Sequence, residues 1–337
     1  MQALAFDLGG THLRGAIVDL TTTRHLMSLR MQNGDYVSGK SGIWERVLTE
    51  MVRYAREQVA ELDPADPIVV SFPGPVAGGR HILHAPTLCG IDTDFIDLAG
   101  FLEAETGRRT YLLNDVSAAA WCLSAFADVD HFLVVTVSSG IGSKTFDRRH
   151  GRSVLDQCAY AGEIGHYVVD DDPDALLCDC GGRGHLGAIA SGRGIERTAR
   201  LRAHRSAAGF AGSYIHTHLN GCPETLTNEH HLVPAALIGD PWALAVIRDC
   251  TRPLARTLLC STLTVGLERV YIIGGFAEAL GEVYLNLLRE LVMELSDYHL
   301  LQSRIKFLIA PGYSVAEPCL VGCGVFLNHL SSTAGTS

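Results

Sequence analysis

One pattern constrains this chain more than any other, and it occurs twice. A short apolar strand runs into a glycine turn, and a second apolar strand follows. Residues 3–8 run into Gly9-Gly10 and are followed by the apolar stretch 13–20. Residues 132–137 are a β-branched run that ends in Ser138-Ser139-Gly140-Ile141-Gly142. Glycine after an apolar run permits a tight reversal, so each repeat reads as two strands joined by a bare turn. Strands and helices then alternate. Apolar residues at helical spacing (Val47, Leu48, Met51, Val52, Tyr54, Ala55) predict a helix within 43–62. A buried strand at 68–72 ends in Pro73-Gly74-Pro75, and a third strand of the first half is expected near 26–31. A short strand at 111–113 meets Asn114-Asp115, which opens an Ala-rich helix at 117–126. In the second half, helices are expected at 192–204, 242–263 and 280–295. Strands are expected at 270–273, closed by Gly274-Gly275, and at 305–310. A helical tail covers 316–330. The pattern predicts an α/β fold with a duplicated plan, two lobes around a cleft. With 337 residues, about two domains are expected. The expected division is a small N-terminal lobe over 1–117, completed by the helix at about 316–330, and a large lobe over 118–315.

Composition removes several function classes. The chain is 47% hydrophobic and 19% charged, with a net charge of −10. It can bury large cores and is too apolar to be disordered. No basic run offers a nucleic-acid face. No apolar stretch approaches the 18 or so residues of a membrane span. The start, Met1 to Gly10, lacks a cationic leader and carries Asp7, so a cytoplasmic protein is expected. Ten cysteines are scattered along the chain and read mostly as buried thiols; only Cys178 and Cys180 cluster.

Four clusters carry chemistry. Asp7-Leu8-Gly9-Gly10-Thr11 places an acid at a strand end before a bare turn and a hydroxyl. Backbone N–H groups there can approach phosphate oxygens, and Asp7 can orient a hydrated Mg²⁺; an ordinary turn uses the same residue types. The turn 138–142 nearly forms a P-loop with Lys144-Thr145. Ser138 and Ser143 occupy both glycine positions, so that motif is rejected and a phosphate-touching strand turn is expected instead. Asn114-Asp115 serves either as a helix cap or as a general base accepting a substrate proton. Last, Glu163 to His166 and the loop Cys178-Asp179-Cys180-Gly181-Gly182-Arg183-Gly184-His185 place two thiols and two imidazoles within 20 residues, a donor set that tetrahedral Zn²⁺ accepts.

Taken in order, these motifs, with Pro73-Gly74-Pro75-Val76 and Gly274-Gly275, resemble the ROK family (repressor, open reading frame, kinase) over about residues 4–330. The resemblance implies a duplicated actin-like, hexokinase-type ATPase fold and an ATP- and Mg²⁺-dependent kinase of a primary hydroxyl. It implies Asp115 as catalytic base, with Asn114, Glu163 and His166 on the sugar. It implies Asp7, Gly9, Gly10 and Thr11 as one phosphate loop, Ser139, Gly140 and Gly142 as a second, and Gly274 and Gly275 at the nucleotide. His166, Cys178, Cys180 and His185 are implied zinc ligands, and a homodimer is the implied assembly.

The chain departs from the family pattern C-x-C-G-x-x-G-C-x-E. His185 replaces the third cysteine, and Gly187 replaces the glutamate that holds reducing-end hydroxyls. The usual G-T-G-I-G turn reads Ser138 to Gly142 here. The expected function is therefore phosphorylation of the exocyclic CH₂OH of a hexose or a sugar-like cyclitol. The alternatives are an ordinary glucokinase or an inactive ROK-type sugar-binding regulator. Asp7 stands too near Met1 for a preceding DNA-binding domain, and a zinc hydrolase needs an open coordination position that four protein ligands would close.

Overall fold

A computed structural model describes residues 2–9, 12–19, 23–30, 43–58, 61–84, 94–148, 152–153, 158, 160–312 and 317–334. The chain divides into two compact units. The first comprises Met1–Asp128, Lys144–Ala161 and Tyr313–Ser337, and the second Val129–Ser143 and Gly162–Gly312.

The first unit is built on strands β1 (Ala3–Leu8), β2 (His12–Val18), β3 (Thr23–Arg30), β4 (Ile68–Phe72) and β8 (Thr110–Asn114), in the order β3-β2-β1-β4-β8. The β1–β2 and β2–β3 pairs are antiparallel, while β4 runs parallel to both β1 and β8. Between β4 and β8 the chain makes a small meander of β5 (Val76–Ala77), β6 (His81–His84) and β7 (Asp94–Asp97). Side chains alternate across a strand, so the sequence of β1 sorts itself onto two faces. Leu4, Phe6 and Leu8 enter a core with Val47 and Met51 of helix α1 (Ile43–Gln58) and with Leu98 and Leu102 of α2 (Leu98–Thr106). The other face carries only Ala3, Ala5 and Asp7. Helices α3 (Asp115–Ser124) and α9 (Pro318–Ala334) pack on this thinner side. They approach closely because the facing residues are small: a Cβ on Gly322 of α9 would fall 1.8 Å from the Ala118 carbonyl oxygen of α3.

The second sheet repeats the plan. Strands β9 (His131–Val137), β10 (Ile141–Asp147), β11 (Arg152–Ser153), β12 (Arg269–Ile273) and β13 (Ile309–Pro311) take the order β11-β10-β9-β12-β13. Strand β12 runs parallel to both β9 and β13. Leu133, Val135, Val270 and Ile272 join a core with the helices of this unit: α4 (Leu186–Ala190), α5 (Gly192–Arg205), α6 (Pro241–Val265), α7 (Gly275–Leu280) and α8 (Glu282–Leu295). Among the described residues no single helix is both long and apolar enough to cross a membrane.

Several expectations need correction. The units part at Asp128/Val129 rather than at 117/118, and 144–161 groups with the first unit. The reason is that α3 packs along α9 and belongs with it. Residues 305–310 do not form one strand: Ile305–Leu308 is a helical turn, and only Ile309–Pro311 is extended. The helix expected at 280–295 is interrupted at Gly281, whose φ of 53° lies in the left-handed region. Of the nine described cysteines only Cys122, Cys250 and Cys323 are fully buried, so most are not core thiols.

Candidate active site

The parallel strands β1, β4 and β8 end side by side. The C-terminal edge of such a sheet is where ligand-binding groups collect. Asp7 lies one residue from the end of β1 and is buried. Its carboxylate accepts from Ser71 Oγ at 2.9 Å, its register partner on β4, and from Arg14 Nη1 at 3.2 Å, its register partner on β2. Burial nevertheless pushes its pKa above the ordinary carboxylate value, against the lowering influence of those two donors. Arg14 also lies 3.6 Å from Glu317, just before α9. The turn after β1 closes through Gly9 N donating to the His12 carbonyl at 2.8 Å. Gly10 and Thr11 lie outside the described residues.

Asn114 ends β8 and caps α3. Its Oδ1 accepts from Val116 N at 3.0 Å and from Ser117 N at 3.3 Å, and its Nδ2 donates to the Gly74 carbonyl at 3.0 Å. The cap reading therefore holds for Asn114, and the same amide ties down the Pro-Gly-Pro loop. Asp115 is half-buried in the first turn of α3, where its Oδ1 accepts from Val116 N at 2.8 Å. The Cys319 thiol, in the first turn of α9, donates to the Asp115 carbonyl at 3.6 Å. Burial and then the charges of Asp7 and Asp115 hold that thiol well above its usual pKa. Because β1, β4 and β8 are adjacent and parallel, Asp7 near the end of β1 and Asp115 just after β8 stand at the same edge of one sheet.

The second unit brings its two glycine turns together. Ser138 N donates to the Gly140 carbonyl at 3.0 Å, and the Ser138 carbonyl accepts from Gly192 N at 2.7 Å, which fixes the turn to the start of α5. Gly274 has φ 102°, and a Cβ there would land 2.7 Å from the Val137 carbonyl oxygen. Only glycine lets the exit of β12 lie against the end of β9. Its N–H donates to Glu278 Oε1 at 2.9 Å, and burial raises the pKa of Glu278. A cavity of about 400 Å³ is lined by Ser138, Ser139, Arg193, Asn228, Gly275 and Phe276. Gly140 stands in the turn itself, and Gly142 lies just inside β10; neither lines that cavity. Arg193 and Asn228 are functional candidates that sequence reasoning missed. Asn228 opens a π-helical turn, Asn228–Leu232, a local widening common at functional sites that leaves no apolar period to read.

The Cys/His loop is a tight reversal. Cys178 N donates to the Gly182 carbonyl at 2.7 Å, and His185 stands at the N-cap of α4. The donor atoms of His166, Cys178, Cys180 and His185 all lie within 4.8 Å of one another. Cys180 Sγ is 3.3 Å from His185 Nδ1, and Cys178 Sγ is 4.0 Å from His166 Nδ1. Bond lengths of about 2.0–2.3 Å around tetrahedral Zn²⁺ place donors roughly 3.3–3.8 Å apart, so the set suits that ion once the longer separations close by about 1 Å. A Cβ on Gly182 would fall 2.3 Å from the His185 ring, so the glycine makes room for that imidazole. The other nitrogen of His166, Nε2, is 4.0 Å from Glu163 Oε2. Asp179, between the thiols, pairs with Arg193 at 2.8 Å, and Arg193 Nε donates to the Ser139 carbonyl at 2.8 Å. One arginine therefore links the Cys/His loop to the second glycine turn.

Comparison with known proteins adds the following. The ROK family profile matches residues 3–310. A C(7)-cyclitol 7-kinase of Streptomyces hygroscopicus subsp. limoneus is 39% identical over 324 residues, covering 94% of this chain and 91% of the relative. A 2-epi-5-epi-valiolone 7-kinase of Actinoplanes sp. is 35% identical over 302 residues, covering 82% and 78%. Among solved structures, a ROK family glucokinase from Streptomyces griseus, in complex with glucose and AMPPNP, superposes with a TM-score of 0.68 at 23% identity. The match covers 97% of this chain and 99% of that one. At that identity the likeness shows the fold, a hexokinase-type, actin-like ATPase fold.

Proposed function

The chain belongs to the ROK family, and on that premise we propose that it moves the γ-phosphoryl group of ATP onto the exocyclic CH₂OH hydroxyl of a sugar-like cyclitol. That it is an ATP-dependent sugar or cyclitol kinase rests on its relatives. The observation that supports the finer reading is the placement of Asp7 and Asp115 at the same edge of one sheet, with Cys319 against the Asp115 backbone. In the proposed reaction the substrate oxygen attacks the γ-phosphorus, the bond to the β-phosphate oxygen breaks, and ADP leaves. Asp115 takes the hydroxyl proton, and Asp7 would orient the hydrated Mg²⁺ that accompanies ATP. Asn114 has one Nδ2 hydrogen beyond its bond to Gly74 with which to hold a substrate hydroxyl. The same reading gives hydroxyl contacts to Glu163 and His166. Gly9, Gly10 and Thr11 form one phosphate turn, Ser139, Gly140 and Gly142 a second, and Gly274 and Gly275 approach the nucleotide. His166, Cys178, Cys180 and His185 would hold one Zn²⁺, and its binding there would stiffen the loop and fix the His166 ring. We also take the protein to be a cytoplasmic homodimer, with small molecules as its only other partners.

Substrate choice rests on Gly187. It lines a cavity of about 170 Å³ with Gly165 and His166. Position 187 itself offers no carboxylate to grip reducing-end hydroxyls, and Asp179, which lines the same cavity, is paired with Arg193. A lost charged hydrogen bond costs about 1.5–3 kcal/mol, or roughly 10–150-fold in binding. A cyclitol, which has no anomeric centre, does not need that grip. The second reading is an ordinary glucokinase in which a neighbouring residue or water fills the gap.

Asp115→Asn tests the assignment. An amide cannot take the proton, so turnover is expected to fall by about 10²–10⁴-fold with the fold intact by circular dichroism. A variant that keeps more than about a tenth of wild-type kcat contradicts the role of Asp115.

A further inference from the structure

Lys144 is the residue of the near-P-loop that the proposed reaction leaves without a task. It is 5% exposed. Its Nζ donates to the Ala161 carbonyl at 2.9 Å, and among the described residues it has no other hydrogen-bond partner and no carboxylate within ion-pair distance. An ammonium carries three N–H donors. Burying it with two of them unmatched is costly, and an unbranched apolar side chain would fill the same space without that cost. The lysine also lines a cavity of about 190 Å³, together with Asn114, Val76, Gly79, Leu112 and Phe326. A cavity of about 150 Å³ accommodates a six-membered carbon ring, so this one has room for a ring and its substituents. The lining is mostly apolar, with Lys144 and the Asn114 amide as its polar side chains apart from the Cys158 thiol.

We propose that Lys144 is a specificity-determining residue that donates to an oxygen substituent of the substrate ring, a hydroxyl or carbonyl oxygen, in the cavity beside Asn114. The inference rests on the kinase reading above and names the group by which that site selects its ring. The bound oxygen completes the hydrogen bonding of the buried ammonium, and the apolar walls take the ring carbons. A substrate lacking that oxygen leaves the ammonium unmatched, so discrimination against it is strong.

The test compares wild type, Lys144→Met and Lys144→Gln on a C7-cyclitol and its monodeoxy analogues, with ATP saturating. In wild type, kcat/KM for one analogue is expected to fall by roughly 10–150-fold, the range for a charged hydrogen bond. In Lys144→Met, KM for the parent cyclitol rises by a similar factor, KM for ATP does not move, and the penalty on that analogue disappears. Lys144→Gln, which keeps a donor, recovers part of the affinity. A purely structural lysine would instead lower thermal stability and leave the analogue penalty in place, and that result overturns the proposal. If Lys144→Met does not fold, the wild-type analogue series and the glutamine variant decide: a flat series overturns the inference. Wild type that phosphorylates no sugar or cyclitol overturns the kinase reading itself, a distinct outcome.

Discussion

Asp7 is held where its charge is disfavoured. Its raised pKa means that the folded state prefers the protonated acid more than the unfolded chain does. The sign follows by linkage. Asp7 favours folding below its unfolded pKa, near 3.8, and this contribution is lost as pH rises through its higher folded value. At neutral pH the carboxylate is therefore a burden on stability, one that the proposed role in phosphoryl transfer would account for. Asp7→Asn is expected to leave Tm at pH 7 equal to or above that of wild type while removing most turnover. The stability difference should shrink as pH falls through the carboxylate range. A variant clearly less stable than wild type at pH 7 would show that the bonds to Ser71 and Arg14 outweigh burial. Gly187 makes the complementary point about specificity. Gly187 lies in the first turn of α4 with its Cβ position 3.1 Å from the Gly165 carbonyl oxygen, so a side chain there needs a shift of a few tenths of an ångström. Gly187→Glu is expected to raise the ratio of glucose to cyclitol kcat/KM by about 10-fold or more. An unchanged ratio would remove Gly187 from the account.

At the scale of elements, the Cys/His loop behaves as one unit, pinned by Asp179 to Arg193 and Arg197 of α5. Those ion pairs are more than half exposed at Asp179 and contribute little to stability, so on the zinc reading the metal is expected to add most to the backbone hydrogen bonds of the loop. Metal analysis should find one zinc per chain, and Cys178→Ser should lose it and raise KM for the sugar. Burial, and then the neighbouring Cys180 and Asp179, push the Cys178 thiol up, so a metal must displace its proton and is expected to dissociate more readily as pH falls. Zinc retained at full occupancy in Cys178→Ser would contradict the ligand set. The elements themselves were unevenly legible. Strands β1, β4, β9 and β12 are four buried runs closed by glycine or proline, and the sequence places them within a residue or so. The stretch 305–310 is an apolar run too short for its period to separate a helical turn from a strand, and it proved to be both. The β5–β7 meander escaped notice because its strands are two to four residues long, and the two four-residue strands begin and end on His or Asp.

At the scale of the whole molecule, the twice-used strand–glycine–strand pattern became two five-stranded sheets with the same order of strands. That duplication was readable because glycine turns and apolar runs are local signals. The Cys/His cluster was readable for the same reason, its donors lying close along the chain. Residues that meet through tertiary structure were not. Cys319 reaches Asp7 and Asp115 from the far end of the chain, and Asn228 reaches the second glycine turn through a π-helical turn. The thinner face of β1, two alanines and Asp7, is the physical link between the two kinds of information. Small residues admit α9, and α9 shuts Asp7 away from water. The central claim is that this site phosphorylates a cyclitol rather than a reducing sugar. The most direct measurement is kcat/KM for a C7-cyclitol and for glucose on the same purified protein, with the phosphorylated position read by NMR. The account predicts a cyclitol preference of at least roughly 10-fold, with phosphate on the exocyclic oxygen. A value for glucose above about 10⁴ M⁻¹s⁻¹, matching or exceeding the cyclitol, would contradict it.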